Sequence, residues 1–142
     1  MGNCGGKRRD SARQGRINKR KGSDAEREYA RLFRKLGFSF CQTSRYGSRI
    51  HDDAGIDLIN LPINVQIKAG RQKGLNIPKL LMELKNRIFN MFLPNAKEQD
   101  APLIIIHHRE GKQGVPRTEF DSIVSMTFED FCKLIQQIEW KD

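Results

Sequence analysis

Two short β-rich runs, Ile56–Leu61 and Val65–Ala69, are joined by Pro62-Ile63-Asn64, and this joint constrains the fold more than any other stretch. Runs of that length around a Pro/Asn turn predict an antiparallel hairpin. Upstream, Ser23 is a good N-cap and Gly37 a stop for a helix over 24–36. Its buried face would be Ala25, Tyr29, Leu32, Phe33 and Leu36. Residues 38–43 alternate like a strand, and residues 44–55 lack either period and read as a long polar loop. After the hairpin, Pro78 suits the first turn of a helix reaching about Phe92, with Leu80, Leu81, Leu84, Ile88 and Met91 facing a core. Leu103–His107 is a buried-type strand and Ile123–Met126 a last strand. Thr127 caps a final helix with an apolar stripe of Phe128, Phe131, Leu134, Ile135 and Ile138. This order predicts an α/β domain, a small mixed β-sheet flanked by helices on both faces.

Charge divides the chain differently from periodicity. The formal net charge is +9, which points to a polyanionic partner. Residues 1–22 hold eight basic residues against Asp10 alone, a net of +7. The remainder carries 18 basic and 16 acidic residues, a net of +2. The expected organisation is therefore a basic, flexible, DNA-contacting arm over 1–22 and a folded, near-neutral domain over 23–142. Cys4, Cys41 and Cys132 form no C-x-x-C pair and read as free thiols of a reducing cytoplasm. No apolar run approaches the roughly 20 residues of a membrane span, and no Walker-type loop predicts nucleotide hydrolysis.

The hairpin also carries the chemistry. Asp57 ends a Gly-Ile-Asp step where the chain leaves the polar loop, and Gln66 and Lys68 share one strand face because side chains alternate. Asp57 and Gln66 offer oxygens, the Ile67 backbone carbonyl can add another, and Lys68 supplies a cation for a water or a phosphate. Hard oxygen donors of this kind suit Mg²⁺, with Mn²⁺ as a substitute. A hairpin with ordinary polar residues on its outer face would carry the same pattern. Glu26 has two readings as well. Ser23-Asp24-Ala25-Glu26 fits a capping box, which spacing alone favours. Glu26 also flanks the apolar stripe in line with Tyr29 and Phe33, from where a carboxylate reaches inward.

Arg45, Tyr46 and Arg49 in the polar loop suit a nucleic-acid backbone and a stacked base. Arg71 and Lys73, in the basic loop after the hairpin, would extend a phosphate-tracking surface. His51, Asp52 and Asp53 read as a solvated loop face before a metal cluster, and His107 and His108 as structural.

The block Lys19-Arg20-Lys21-Gly22-Ser23-Asp24-Ala25-Glu26-Arg27-Glu28, followed by Gly37-Phe38, resembles the opening of archaeal-type Holliday junction resolvases. The polar loop at 44–55 and the hairpin at 56–69 follow in matching order. The resemblance covers about residues 18–75. It implies a restriction-endonuclease-like fold of the PD-(D/E)-x-K nuclease superfamily. It implies a Mg²⁺-dependent homodimer that nicks opposite strands of branched DNA at a four-way junction. It carries over Glu26 as the helix carboxylate, Asp57 as central metal ligand and Lys68 as catalytic lysine, with Ser48 as a phosphate contact. Lys19, Arg20 and Lys21 fall within the block itself. Gln66 stands where the family has an acid, and Ile56 where it has a proline. Two further readings stay open. One is a restriction- or repair-type nuclease on duplex or flap DNA; the other is a DNA-binding protein whose catalytic site has decayed.

Overall fold

The computed structural model describes residues 4–70, 74–109 and 118–139, with the side chains described from Ser11 onward. Arg71 and Lys73 lie outside the described residues.

The first helix, α1, runs over Cys4–Lys35, 32 residues, about 48 Å at the α-helical rise. It therefore does not begin at residue 24 behind a Ser23 cap; the chain is helical straight through Ser23. Ala25, Tyr29, Ala30 and Leu32 are buried. Residues 11–21 are exposed without exception. Packing of the second half pays the nucleation cost, after which each added residue is nearly neutral. Local pairs hold the exposed turns, with Gln14 Nε2 donating to Asn18 Oδ1 at 3.0 Å and Arg20 Nε 3.9 Å from Asp24. At the other end Gly37 adopts φ 112°. Phe38 N–H donates to Phe33 O at 3.0 Å and Gly37 N–H to Arg34 O at 3.1 Å, with the Phe33 and Phe38 rings 6.3 Å apart. This is a Schellman ending with its apolar clasp. It uses up residues that were expected to be strand, so β1 shrinks to Gln42–Thr43.

The polar loop is not irregular. It folds into α2 (Ser44–Gly47) and α3 (Arg49–Asp53), joined by Ser48, which caps the second by accepting from His51 N–H. The hairpin follows as β2 (Leu58–Ile59) and β3 (Asn64–Lys68), antiparallel with Leu58 opposite Val65. Helix α4 (Ile77–Met91) has Asn76 as its N-cap and Pro78 in its first turn. It carries the chain over to β4 (Leu103–His107), parallel to β3 from Asn64↔Leu103 to Lys68↔His107. A one-turn helix, α5 (Lys97–Asp100), precedes β4. Strand β5 (Ile123–Ser125) is antiparallel to β4, and α6 (Phe128–Gln137) ends the described chain. Among the described residues the strands form one five-stranded mixed sheet in the order β1-β2-β3-β4-β5.

Alternation along β3 and β4 makes two cores. Val65, Ile67, Ile104 and Ile106 pack with Ala25, Tyr29 and Leu32 of α1. Leu103 and Ile105 pack on the other face with Leu81, Leu84 and Ile88 of α4, together with Ala54 and Ile56. A strand buried on both faces is aliphatic throughout, as Leu103–Ile106 is. Helix α6 departs from expectation. Phe128 is 79 % exposed and Ile138 50 %, whereas Asp130 is 1 % exposed. Asp130 accepts from Leu103 N–H at 3.1 Å and pairs with Nζ of the partly exposed Lys85 at 3.0 Å, so a buried carboxylate contributes to docking this helix where much of its apolar stripe does not. Among the described residues no helix is long and apolar enough to cross a membrane, and Cys41 and Cys132 are free thiols.

Candidate functional site

Asp57 is fixed where the chain leaves α3 and enters β2. Its N–H donates to Val65 O at 2.7 Å, and its C=O accepts from Ser44 N–H at 2.9 Å. Its Oδ2 accepts from Ile67 N–H at 2.7 Å, so the side chain takes the place of a ladder carbonyl beside β3. Burial pushes this carboxyl up to about 7. Ile67 N–H pulls it down, the Glu26 charge raises it, and Lys68 and Arg45 lower it. Glu26 of α1 and Lys68 of β3 are thus each within electrostatic reach of Asp57 at the entry to β2.

Glu26 is 6 % exposed. With the helix continuous through Ser23, it has no cap to close, and its carboxylate turns inward instead. Arg45 Nη2 donates to Oε1 at 3.1 Å, and Arg45 Nε lies 3.0 Å from Oε2. Burial raises the Glu26 carboxyl, Arg45 opposes that by charge and hydrogen bond, Asp52 adds to it and Arg27 lowers it.

Gln66 is 8 % exposed on the strand face it shares with Lys68. Its Nε2 donates to Gly55 O at 3.2 Å. That bond fixes the amide orientation, because only the NH₂ group can meet a carbonyl. Oε1 is left buried without a hydrogen-bond partner among the described residues. An orphaned buried acceptor is costly and calls for a donor or a cation. Gly55 makes the corner possible. It has φ +85°, and a Cβ there would lie 2.7 Å from Leu84 Cδ2 and 3.1 Å from Gln66 Nε2. Ile67 turns its side chain into the α1 core, as alternation requires.

Beside this corner lies a cleft of about 420 Å³ between α1 and α2, lined by Arg16, Lys19, Arg20, Arg27, Arg45 and Tyr46 among others. Tyr46 is 81 % exposed. Lys19, Arg20, Arg45 and Tyr46 are therefore brought together. Lys21 is exposed on α1 outside the cleft lining. Arg49 points outward to Asp53 at 3.7 Å.

Ser48 is hydrogen-bonded within the α2–α3 corner. Its Oγ is 2.6 Å from His51 Nδ1, and His51 Nε2 is 3.1 Å from Glu98 Oε1. These contacts are an anchor for the α2–α3 corner. Asp52 and Asp53 are exposed, as expected of a solvated face. Among the described residues no three His, Cys, Asp or Glu side chains form a metal-binding group. A divalent cation at the hairpin would therefore rest on two carboxylates plus the Gln66 amide oxygen. His108 Nδ1 meets Tyr29 Oη at 2.9 Å, a structural role. His107 sits opposite Lys68 in the parallel register, with Nε2 2.8 Å from Ser125 Oγ.

Sequence reasoning placed Arg45 on DNA and missed its pairing with Glu26. The two are 19 residues apart with no periodic relation, so no local signal existed. Arg87 was also missed; its Nη1 reaches to 3.5 Å from the ideal Cβ position at Gly55. No protein-family model, no curated protein and no solved structure matches this chain.

Proposed function

We propose that this chain is a Mg²⁺-dependent, structure-specific DNA endonuclease with a restriction-endonuclease-like fold, which resolves four-way junctions by paired nicks as a homodimer. The observation that carries the reading is the convergence of Glu26, Asp57 and Lys68 beside a five-cation cleft. The residues fit a hard divalent cation. Two buried carboxylates whose charges oppose each other, and an orphaned amide oxygen on Gln66, are all relieved by one positive ion. Glu26, Asp57, Gln66 Oε1 and the Ile67 carbonyl would hold it. Bound there, Mg²⁺ or Mn²⁺ supplies Lewis-acid polarisation of a phosphate and acidifies a coordinated water.

The chain's own groups do the rest. Lys68 orients the attacking water or the scissile phosphate. Arg16, Lys19, Arg20 and Arg27 hold the sugar-phosphate backbone, which fixes register without reading sequence. Tyr46 offers a face for an unstacked base at the branch. Paired cuts need paired sites, and a two-fold dimer matches a nearly two-fold junction.

A second reading has its own observation. Gln66 removes a charge from the site and Arg45 already occupies Glu26, which also suits a DNA-binding protein with a decayed centre. Strand cleavage of a labelled four-way junction beside a matched linear duplex, with Mg²⁺ or EDTA, separates these. Symmetric nicks in the junction alone, lost in EDTA, are expected. Tight binding without cuts supports the decayed centre, and equal cutting of both substrates a general duplex or flap nuclease.

A further inference from the structure

Arg45 belongs to two places at once. Its Nη2 donates to Glu26 Oε1 at 3.1 Å, and its Nε lies 3.0 Å from Oε2, which is buried without a hydrogen-bond partner among the described residues. The same side chain lines the basic cleft with Arg16, Lys19, Arg20 and Arg27, and that side chain is 33 % exposed where the side chain of Glu26 is 8 % exposed. A carboxylate buried to that degree needs a cation close by. A guanidinium and a divalent ion would compete for the same carboxylate, one oxygen of which accepts from Arg45 while the other has no hydrogen bond among the described residues. A guanidinium also matches a phosphodiester bidentately, as well as it matches a carboxylate.

We propose that Arg45 is a positioning residue that couples the two halves of the site. Paired with Glu26, it screens that carboxylate from a divalent cation. A phosphodiester entering the cleft offers the guanidinium another anion and opens Glu26 to the cation. The inference rests on the reading of Glu26 and Asp57 as cation ligands. Linkage makes the effect reciprocal: the factor by which DNA tightens cation binding is the factor by which the cation tightens DNA binding. The cation would then be recruited with the substrate, which offsets the charge lost at Gln66.

The test is Mn²⁺ binding to the full chain, read from the EPR signal of free Mn²⁺. It is made on a Lys68→Ala background that keeps the oxygen donors and prevents cutting. Titrations are run without DNA and with a four-way junction, after subtracting Mn²⁺ held by the junction alone. Without DNA, Arg45→Gln should bind Mn²⁺ about tenfold more tightly than its parent, within the usual span of coupling between sites. The factor by which the junction tightens Mn²⁺ binding should shrink correspondingly. Arg45→Lys keeps the charge, loses the fork, and should fall between them; it also serves if Arg45→Gln fails to fold. A tighter Arg45→Gln with an unchanged junction factor would make Arg45 a fixed neighbouring charge and overturn the coupling. Equal affinities, both abolished by Asp57→Asn, would overturn it while leaving the cation site standing. No Asp57-dependent Mn²⁺ binding in any variant would overturn the cation reading and the coupling with it.

Discussion

Gln66 shows what one residue can decide. Its Nε2 satisfies Gly55 O while its Oε1 has no partner among the described residues, so half the amide serves the fold and half is spare. A glutamate there adds charge for a cation but loses the donor to Gly55. We expect Gln66→Glu to keep nicking activity and to reach half-maximal rate at lower Mg²⁺. The metal-free variant should also be less stable by about 1–3 kcal/mol, the cost of an unsatisfied buried carbonyl. Mg²⁺ titration in a nicking assay and urea melts in EDTA check the two halves; a dead variant would mean that Gln66 is misassigned. At this scale Glu26, Asp57, Gln66 and Lys68 were legible as candidates, because strand alternation and helix spacing are local. The Arg45–Glu26 pair was not, because it depends on how α2 lies against α1. The capping-box reading of Glu26 failed for the same reason: the cap exists only if the helix starts there.

At the scale of elements, helices and strands followed their periods where a packed core enforced them. The stripe of α4 was legible and is buried at Leu81, Leu84 and Ile88. The stripe of α6 was equally periodic and is largely exposed, because Asp130 determines how that helix docks. Periodicity states that a face is apolar and says nothing of whether the chain covers it. Asp130→Ala should therefore cost about 1–3 kcal/mol in a denaturant melt, since it leaves the buried Leu103 N–H without its acceptor. A loss under about 1 kcal/mol would place the docking energy elsewhere. The exposed half of α1 makes the opposite forecast. Arg16, Lys19 and Arg20 support no core, so replacing all three with alanine should leave stability unchanged. It should lower the salt dependence of DNA binding, with the log–log slope falling by about 2.7 if each holds one phosphate. An unchanged slope would remove α1 from the DNA.

For the whole molecule, the site is a charge problem that folding leaves unresolved. The Asp57 carboxyl stands at about 7 in the folded chain against an ordinary 3.8. The native state therefore holds a proton that the unfolded chain has released over that interval. Its contribution to stability is complete below the lower value and is lost as pH rises through the upper one. Without metal, wild type should lose stability relative to Asp57→Asn between about pH 4 and pH 8, on the order of 2–4 kcal/mol. On the proposed reading Mg²⁺ would compete with that proton, so its thermal stabilisation should be larger at pH 8 than at pH 6. Melting curves at both pH values, with and without EDTA, decide this; a Mg²⁺ effect that survives Asp57→Asn would locate the ion elsewhere.

The continuity of α1 has a geometric consequence. The helix that carries Glu26 extends without a break back through Arg16, a separation of about 15 Å at 1.5 Å per residue. One continuous helix thus carries both Glu26 and the distal cations, and on the proposed reading it would act as a ruler. On the proposed reading, about four base pairs at 3.4 Å per step lie between the cut phosphate and the far end of that grip. The position of a nick relative to the branch would then be set by the length of a helix, and shifts of register would come in helical turns.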